Sequence, residues 1–303
     1  MLPPPPPELF DETGRIAQDV QCRRCSYNLR GLSGDGRCPE CGTPVGRSTH
    51  GDLLRYSDPD WVQALELGVR LILLGIVANL LAGVIGAVLN AFFHPLIGGL
   101  VQLAGSAVGF YGTWLLTEPD PSGIGEDVYG RARKVTRFAM LVGVIGQVAS
   151  MLQRVVVLSN AVLLLLIPVA IVAALIGVVG FWYQLFYIEK LAERVPQEDV
   201  VRRARFLRWA YPISTGGVIL GGVLATLYVL VTGPAAPWTP GGGPPPGGAA
   251  PAGGLVAASC VVTIFGLATL VFGVMYLVML FKLRRALKDQ LATSRMIWSA
   301  AAA

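Results

Sequence analysis

The chain has 303 residues, of which 53% are hydrophobic and only 14% are charged, and its formal net charge is +5. Its mean hydropathy of +0.59 excludes a chain that is soluble and globular throughout, and indicates a protein that lies mostly in a membrane. The small excess of positive charge suits a surface that faces anionic lipid.

Residues 1–20 contain five consecutive prolines near their start, and they lack the basic and apolar regions of a signal peptide. We expect this proline-rich segment to be disordered. Without a signal peptide, we expect the segment that follows to lie in the cytoplasm, where thiols stay reduced.

Two C-x-x-C pairs follow, Cys22/Cys25 and Cys38/Cys41. Two residues between cysteines let both thiolates of one tight turn reach the same ion, and two such turns form a closed tetrahedral site. The spacing predicts one structural zinc ion per chain. Two disulfides are the alternative, but a reducing compartment disfavours them. Because thiolates occupy all four positions, no water can be activated on the metal and we expect no metal-based catalysis.

The arginines around these cysteines have two interpretations. Zinc with four thiolates carries a formal charge of about −2, which the arginines can offset; alternatively they form a phosphate-binding surface. Asp35 and Glu40 are interleaved with them and Tyr27 is the only aromatic residue between Cys22 and Gly42, so nucleic acid is disfavoured as a partner. The arginines are Arg23, Arg24, Arg30 and Arg37.

At 22–42 the sequence resembles a bacterial N-terminal zinc ribbon of the type Cys-x-x-Cys-x-Tyr-x-Leu-x-Gly-Leu followed by Cys-Pro-Glu-Cys-Gly. Such ribbons are typically fused to varied multi-pass membrane proteins. The resemblance implies a small metal-bound ribbon with β-knuckles, and it carries no catalytic residue. The matching residues are Cys22, Cys25, Tyr27, Leu29, Gly31, Leu32, Cys38, Pro39, Glu40, Cys41 and Gly42.

Beyond the ribbon (21–43) and a linker (44–60), six apolar runs are long enough to span a bilayer, which takes roughly 20 residues in a helix. Backbone groups in lipid must pair within their own segment, so the runs predict helices. The predicted fold class is therefore membrane all-α, with six transmembrane helices in 61–288, a flexible outer loop at 233–254 and a cytoplasmic tail at 289–303. The runs are 67–92, 96–116, 135–152, 163–187, 207–231 and 255–281.

An internal repeat groups these helices into three hairpins. The segment that begins at Glu126 aligns with the one that begins at Glu198, and each is acidic and then basic. The alternative is chance, because short apolar sequences recur in membrane proteins without a true repeat. A weaker copy begins near Asp58, where Ser57 or Asp58 before Pro59 fits a helix N-cap with proline in the first helical position.

The distribution of charge predicts the orientation of the chain. Of the 24 Lys and Arg residues, only Arg154 falls on the side opposite the ribbon, and all 19 acidic residues lie on the ribbon side. Because basic loops stay cytoplasmic, we expect an inner-membrane protein with both termini in the cytoplasm and the lipid bilayer as its main partner.

The hydrophobic centres of the runs contain no charged residue or histidine of the kind that pumps use. Their strongest polar groups either line a substrate path or form hydrogen bonds between helices, and we favour the second. Glu66 and Arg70, four residues apart, are expected to pair, and Cys260 is expected to be a small core residue. The polar groups are Asn79, Asn90, Gln102, Gln147 and Gln184.

The glycine patterns at 105–109 and 217–221 predict close helix contacts. Ser106, beside Gly105, could suggest an intramembrane nucleophile, but no histidine lies in any predicted helix to activate it. The chain also lacks the short catalytic motifs of soluble enzymes, so we expect no enzymatic activity.

Two functions remain open. In the first, the protein is a membrane-anchored docking scaffold or regulatory protein whose ribbon binds a cytosolic protein; Tyr27, Leu29 and Leu32 are its candidate contacts, unless they cover the metal. In the second, it is a transporter or channel for a neutral or lipidic substrate, with the ribbon as a regulatory cap. Amides that face one lumen favour transport, whereas amides that meet across tight helix pairs favour the scaffold. Assembly into a homo-oligomer stays open.

Overall fold

The computed structural model describes residues 9–92, 95–123, 125–153, 160–195, 197–232 and 252–300. A helical turn at Gly46–Thr49 and a 3-10 turn at Leu54–Tyr56 lead from the N-terminal ribbon to six long helices. These helices are α1 (Pro59–Phe92), α2 (Pro95–Leu116), α3 (Glu126–Gln153), α4 (Asn160–Glu193), α5 (Glu198–Thr232) and α6 (Ala252–Ala300).

All six long helices are long and apolar enough to cross a membrane, by length and composition. The prediction of six apolar helices is therefore confirmed, although their bounds differ from the apolar runs. The largest difference is in α6, which continues through the basic segment to Ala300, so that the described part of the expected tail is helical. The expected outer loop lies outside the described residues, apart from its last three positions, which belong to α6.

The starts of the odd-numbered helices agree with the repeat. Glu126 and Glu198, which the alignment made equivalent, are the first residues of α3 and α5. At α1, the Asp58 carboxylate accepts hydrogen bonds from the backbone N–H groups of Asp60 (2.9 Å) and Trp61 (3.3 Å). This geometry makes Asp58 the N-cap, and it satisfies donors that the first helical turn leaves without a partner.

Each long helix packs on its neighbours in sequence, and α1 also packs on α6. The α1–α2 hairpin is the tightest, because its two backbones touch: a Cβ on Gly75 would lie 2.6 Å from Gly109 Cα, and one on Gly112 would lie 2.7 Å from Ile72 N. Gly217 of α5 likewise lies against the ring of Phe265 on α6. The small-residue patterns therefore mark close helix contacts, as predicted.

The first and last described residues lie at one end of the bundle, which we call the ribbon end. This end holds the starts of α1, α3 and α5 and the last turns of α2, α4 and α6. The main buried core is here, and it includes Leu54, Leu65, Ile188, Leu207 and Leu283. Toward the opposite, far end, large apolar side chains such as those of Leu80, Ile145 and Leu165 are exposed. The packed core is therefore concentrated beside the ribbon.

Two predictions about single residues are wrong. Glu66 forms an ion pair with Arg284 (2.8 Å) rather than with Arg70, because α6 extends far enough to bring Arg284 alongside α1. Cys260 is exposed on α6 and is not a core residue; an apolar stretch in a membrane-type helix does not imply burial against protein. Arg154 and the side chain of Asn90 lie outside the described residues.

The N-terminal segment differs from its prediction where it is described, at residues 9–20. Ile16 is buried, and Phe10 and Val20 pack around the ribbon core. The backbone holds this segment in place, since Ile16 N–H donates to Leu32 O (2.9 Å) and Leu29 N–H donates to Val20 O (2.8 Å). Residues 9–20 therefore belong to the ribbon, because their few apolar side chains complete its small core.

Candidate metal centre and its junction with the bundle

The two C-x-x-C pairs form two turns of the same shape. Cys22 N–H donates to Tyr27 O (2.8 Å), and Cys38 N–H donates to Thr43 O (2.9 Å). The residue after the second cysteine has a positive φ in both turns, 61° at Ser26 and 68° at Gly42. Only isolated β-bridges, such as Gln21 with Asn28 and Arg37 with Pro44, accompany the turns in the described ribbon, so its knuckles form without longer strands.

These two turns bring the four cysteine sulfurs together. All four Sγ atoms lie within 4.8 Å of one another; Cys22 and Cys41 are 3.6 Å apart and Cys25 and Cys38 are 3.5 Å apart. Zn–S bonds of about 2.3 Å in a tetrahedron place sulfurs about 3.8 Å from each other. The donor set and its spacing therefore fit a metal ion such as zinc.

The four thiols shift one another's pKa values. Although a backbone hydrogen bond from Tyr27 favours its thiolate, desolvation and the other three cysteines raise the pKa of Cys25 to about 12. Desolvation opposes ionisation of Cys41 too, but Thr43, whose Oγ1 lies 3.3 Å away, and the neighbouring thiols lower its pKa to about 6. Four thiolates so close together repel one another, so they ionise together only around a positive ion.

The candidate contact residues of the ribbon separate into buried and exposed positions. Leu29 is fully buried beside Cys22 and Cys38, and Leu32 packs against the same core. Tyr27, by contrast, is 39% exposed. Leu29 and Leu32 therefore cover the cysteine site, and Tyr27 is the one of the three that a partner could reach.

The ribbon is joined to the bundle by four charged side chains. Arg47 follows the second knuckle, Asp52 precedes the 3-10 turn, Asp120 lies between α2 and α3, and Arg194 follows α4. Arg47 Nη2 lies 3.0 Å from Asp52 and 2.9 Å from Asp120; Arg194 Nη2 lies 2.9 Å from Asp52 and 3.0 Å from Asp120. We call these four residues the charge clamp.

The charge clamp is shielded from solvent. The side chains of Arg47, Arg194 and Asp120 are at most 6% exposed, and that of Asp52 is 21% exposed. Burial alone would raise the pKa of Asp120, but the Arg47 charge, hydrogen bonds from Ser122 and the Arg194 charge hold this pKa below its usual range. Two arginines and two carboxylates balance in formal charge, so the clamp is a closed set of buried ion pairs.

A second set of contacts joins the ribbon end to the last turns of α6. The Arg37 guanidinium donates to the Trp298 carbonyl and lies 4.6 Å from the centre of the Trp298 ring. Ser294 is fully buried and donates to Ser57 O (2.7 Å). Arg37 is thus used within the chain, and the linker expected at 44–60 is a packed connection that involves α1, α4 and α6.

The amides of the helices meet across helix pairs. Asn79 Oδ1 on α1 accepts hydrogen bonds from Gln102 Nε2 (2.8 Å) and lies 2.9 Å from Ser106 Oγ on α2, while Gln147 Nε2 on α3 donates to Ser106 Oγ (3.0 Å). Gln184 on α4 donates to the Tyr276 hydroxyl on α6 (3.3 Å). This is the interhelical arrangement that the sequence favoured.

Neither known protein families nor curated proteins nor solved structures give a match to this chain.

Proposed function

We propose that this chain is a multi-pass membrane scaffold that binds structural zinc through Cys22, Cys25, Cys38 and Cys41 and presents its ribbon to a cytosolic protein. In this proposal both termini are cytoplasmic and the six helices hold the ribbon at the inner face of the membrane. The zinc has a structural role in this proposal, because a closed four-thiolate site leaves no coordination position for a substrate or water.

The charge clamp is the observation that carries this proposal. A ribbon on a loose tether would leave Arg47 to solvent, whereas Arg47 is buried together with Arg194 of the bundle against Asp52 and Asp120. Breaking a buried pair costs about 3–5 kcal/mol, so the clamp supports a ribbon of fixed orientation. A fixed orientation is what a scaffold requires in order to present one surface.

The surface available for presentation is the first knuckle. Residues 23–28 are exposed throughout, with Tyr27 among them, while the second knuckle continues into the clamp through Arg47. An exposed tyrosine beside arginines is typical of the anchor residues of protein interfaces. We therefore place the partner contact at Tyr27 and its neighbours.

The amide contacts weigh against transport. Asn79, Gln102 and Gln147 bond one another or Ser106 across α1, α2 and α3, which leaves fewer of their polar atoms to line a path. The α1–α2 backbones also touch at Gly75 and Gly109. Both features suit a static bundle.

The test is affinity purification in mild detergent from native cells, with co-purified proteins and zinc measured together. We expect about one zinc per wild-type chain, and its loss in the Cys22→Ser/Cys25→Ser variant because the closed site needs all four thiolates. The cysteine variant should also lose a co-purified protein. A Tyr27→Ala variant should keep its zinc but lose that same protein.

Met296→Ala is the matched control, since Met296 is exposed near the end of α6 but lies outside the first knuckle. The control should retain both zinc and partner. If Tyr27→Ala and the cysteine variant leave the co-purified proteins unchanged, the scaffold role of the ribbon is wrong, even if zinc is present.

A further inference from the structure

An apolar groove of about 540 Å³ runs between α5 and α6 on the outer surface of the bundle. The side chains of Phe206 and Trp209 on α5 form one wall and those of Phe265 and Phe272 on α6 form the other. Phe206 and Trp209 are more than half exposed. An exposed apolar groove of this kind is typical of a surface that contacts membrane or binds a ligand.

Small residues create the groove and a close helix contact ends it. Ala210 and Ala268 face the space between the two helices, and their short side chains leave it unfilled. Toward the far end, Phe265 lies directly against Gly217, so α5 and α6 come together there. The groove is therefore open to the side and closed at its deeper end.

A positively charged group of side chains lies just beyond the other end of the groove. The Asp199 carboxylate, at the start of α5, is 2.9 Å from Arg202 Nη2 and 3.2 Å from Lys282 Nζ of α6. Two cations share one carboxylate, so the three groups carry a formal net charge of +1. The Arg202 side chain is 78% exposed and is free to contact an additional anion.

The spacing between this charged group and the groove matches one leaflet of a bilayer. Arg202 lies one helical turn before Phe206, and the last apolar residue of the α5 wall is Ile213. A rise of 1.5 Å per residue puts Arg202 and Ile213 about 16 Å apart along α5. Half of the roughly 30 Å hydrocarbon core of a membrane is about 15 Å.

We propose that this groove binds one anionic phospholipid of the inner leaflet, with the phosphate at Arg202 and Lys282 and an acyl chain along the aromatic wall. The proposal rests on the membrane insertion and orientation proposed above, and it goes beyond the scaffold role. A phosphodiester carries one negative charge and so complements the net +1 of the charged group. An apolar helix from a second copy of the chain would leave that charge unmatched.

Native mass spectrometry of the full chain in detergent tests this proposal, with phosphatidylglycerol or phosphatidylcholine added in separate arms. We expect one phosphatidylglycerol retained per chain and much weaker retention of phosphatidylcholine. Arg202→Gln/Lys282→Gln should weaken phosphatidylglycerol binding about 10-fold or more, since each basic group near the headgroup contributes severalfold. Ala210→Leu, which fills the groove, should abolish it with both cations intact. Inorganic phosphate at millimolar concentration should not displace the lipid.

The matched control is Arg70→Gln/Arg131→Gln, which removes two exposed cations at the ribbon end of α1 and α3. Equal retention of both lipids, or equal loss in the control, would overturn the lipid site. So would a dimer that dissociates in Ala210→Leu, because a second copy would then be the occupant. Membrane-fraction recovery and zinc content of each variant are measured in parallel, so a failed lipid site is distinguished from a failed membrane scaffold.

Discussion

The ribbon end and the far end of the bundle are held together by different forces. At the ribbon end, Leu65, Ile188 and Leu283 are almost completely buried in one core, and the charge clamp ties the ribbon to it. At the far end, Leu165 is 74% and Ile145 is 67% exposed. Protein contacts stabilise the first region, whereas the second depends on an apolar environment around it.

The difference follows from the surroundings of the two regions in the proposed membrane orientation. In lipid, no hydrophobic driving force favours apolar side chains packing against each other over packing against acyl chains, so the far end needs little core. The ribbon end faces water in the proposed orientation, and there burial of apolar surface contributes about 25 cal/mol per Å². The position of the core is thus what the hydrophobic effect predicts for a protein whose ribbon end is its main water-facing part.

The hold of the charge clamp on the ribbon is tested by removing one of its carboxylates. Asp120→Asn leaves Arg47 and Arg194 with Asp52 as their only acidic partner, and we expect the ribbon contact to weaken by about 3 kcal/mol. Trypsin cleavage after Arg47 should then become faster by a factor of roughly 100 or more, because Arg47 is buried in the folded chain and cleavage follows the open population.

Asp127→Asn is the control for this prediction, since Asp127 is an exposed acidic residue in the first turn of α3. Its cleavage rate should match that of the wild type. Unchanged cleavage in Asp120→Asn would mean that the clamp does not hold the ribbon, and the fixed orientation in the proposed function would be lost with it.

The sequence predicted the local features of this structure and missed the long-range polar ones. The cysteine spacing, the six helices and the Asp58 cap follow from patterns within a few residues. Arg47 and Asp120 are separated by 73 positions and Asp52 and Arg194 by 142, and each lies in a segment whose charge was interpreted as a topology signal. No local pattern distinguishes a buried charge from an exposed one.

The same limit explains why the sequence did not predict the partner of Glu66 or the packing of the N-terminal segment. Arg70 is the nearer cation in sequence, but the extension of α6 brings Arg284 to Glu66, and only tertiary structure shows this. Residues 9–20 have few apolar side chains, and Ile16 becomes buried because a ribbon core is small enough for one side chain to complete it. Composition over a window cannot detect such a contribution.

The close contact between α1 and α2 is tested by adding a side chain at Gly75. Gly75→Leu places a side chain where the α1 and α2 backbones already touch, and we expect destabilisation of about 3 kcal/mol from overpacking. The same substitution at Gly143 of α3, where no atom lies within 4 Å of the added Cβ, should have little effect. Thermal unfolding of both variants in one detergent measures the difference, and equal melting temperatures would show that α1–α2 packing is not limiting.

Substitutions in the backbone turns of the two knuckles should change stability only slightly. Ser26 and Gly42 occupy equivalent positions with φ of 61° and 68°, a region that costs an L-residue with a side chain roughly 1–2 kcal/mol. Ser26→Gly should therefore stabilise the ribbon by about 0.5 kcal/mol after the larger chain entropy of glycine is counted, and Gly42→Ala should destabilise it by about 1 kcal/mol.

Competition for zinc with a chelator measures the effect of both substitutions. Opposite shifts in zinc retention are expected because metal binding and ribbon folding are coupled; shifts of the same sign would show that the two knuckles are not equivalent.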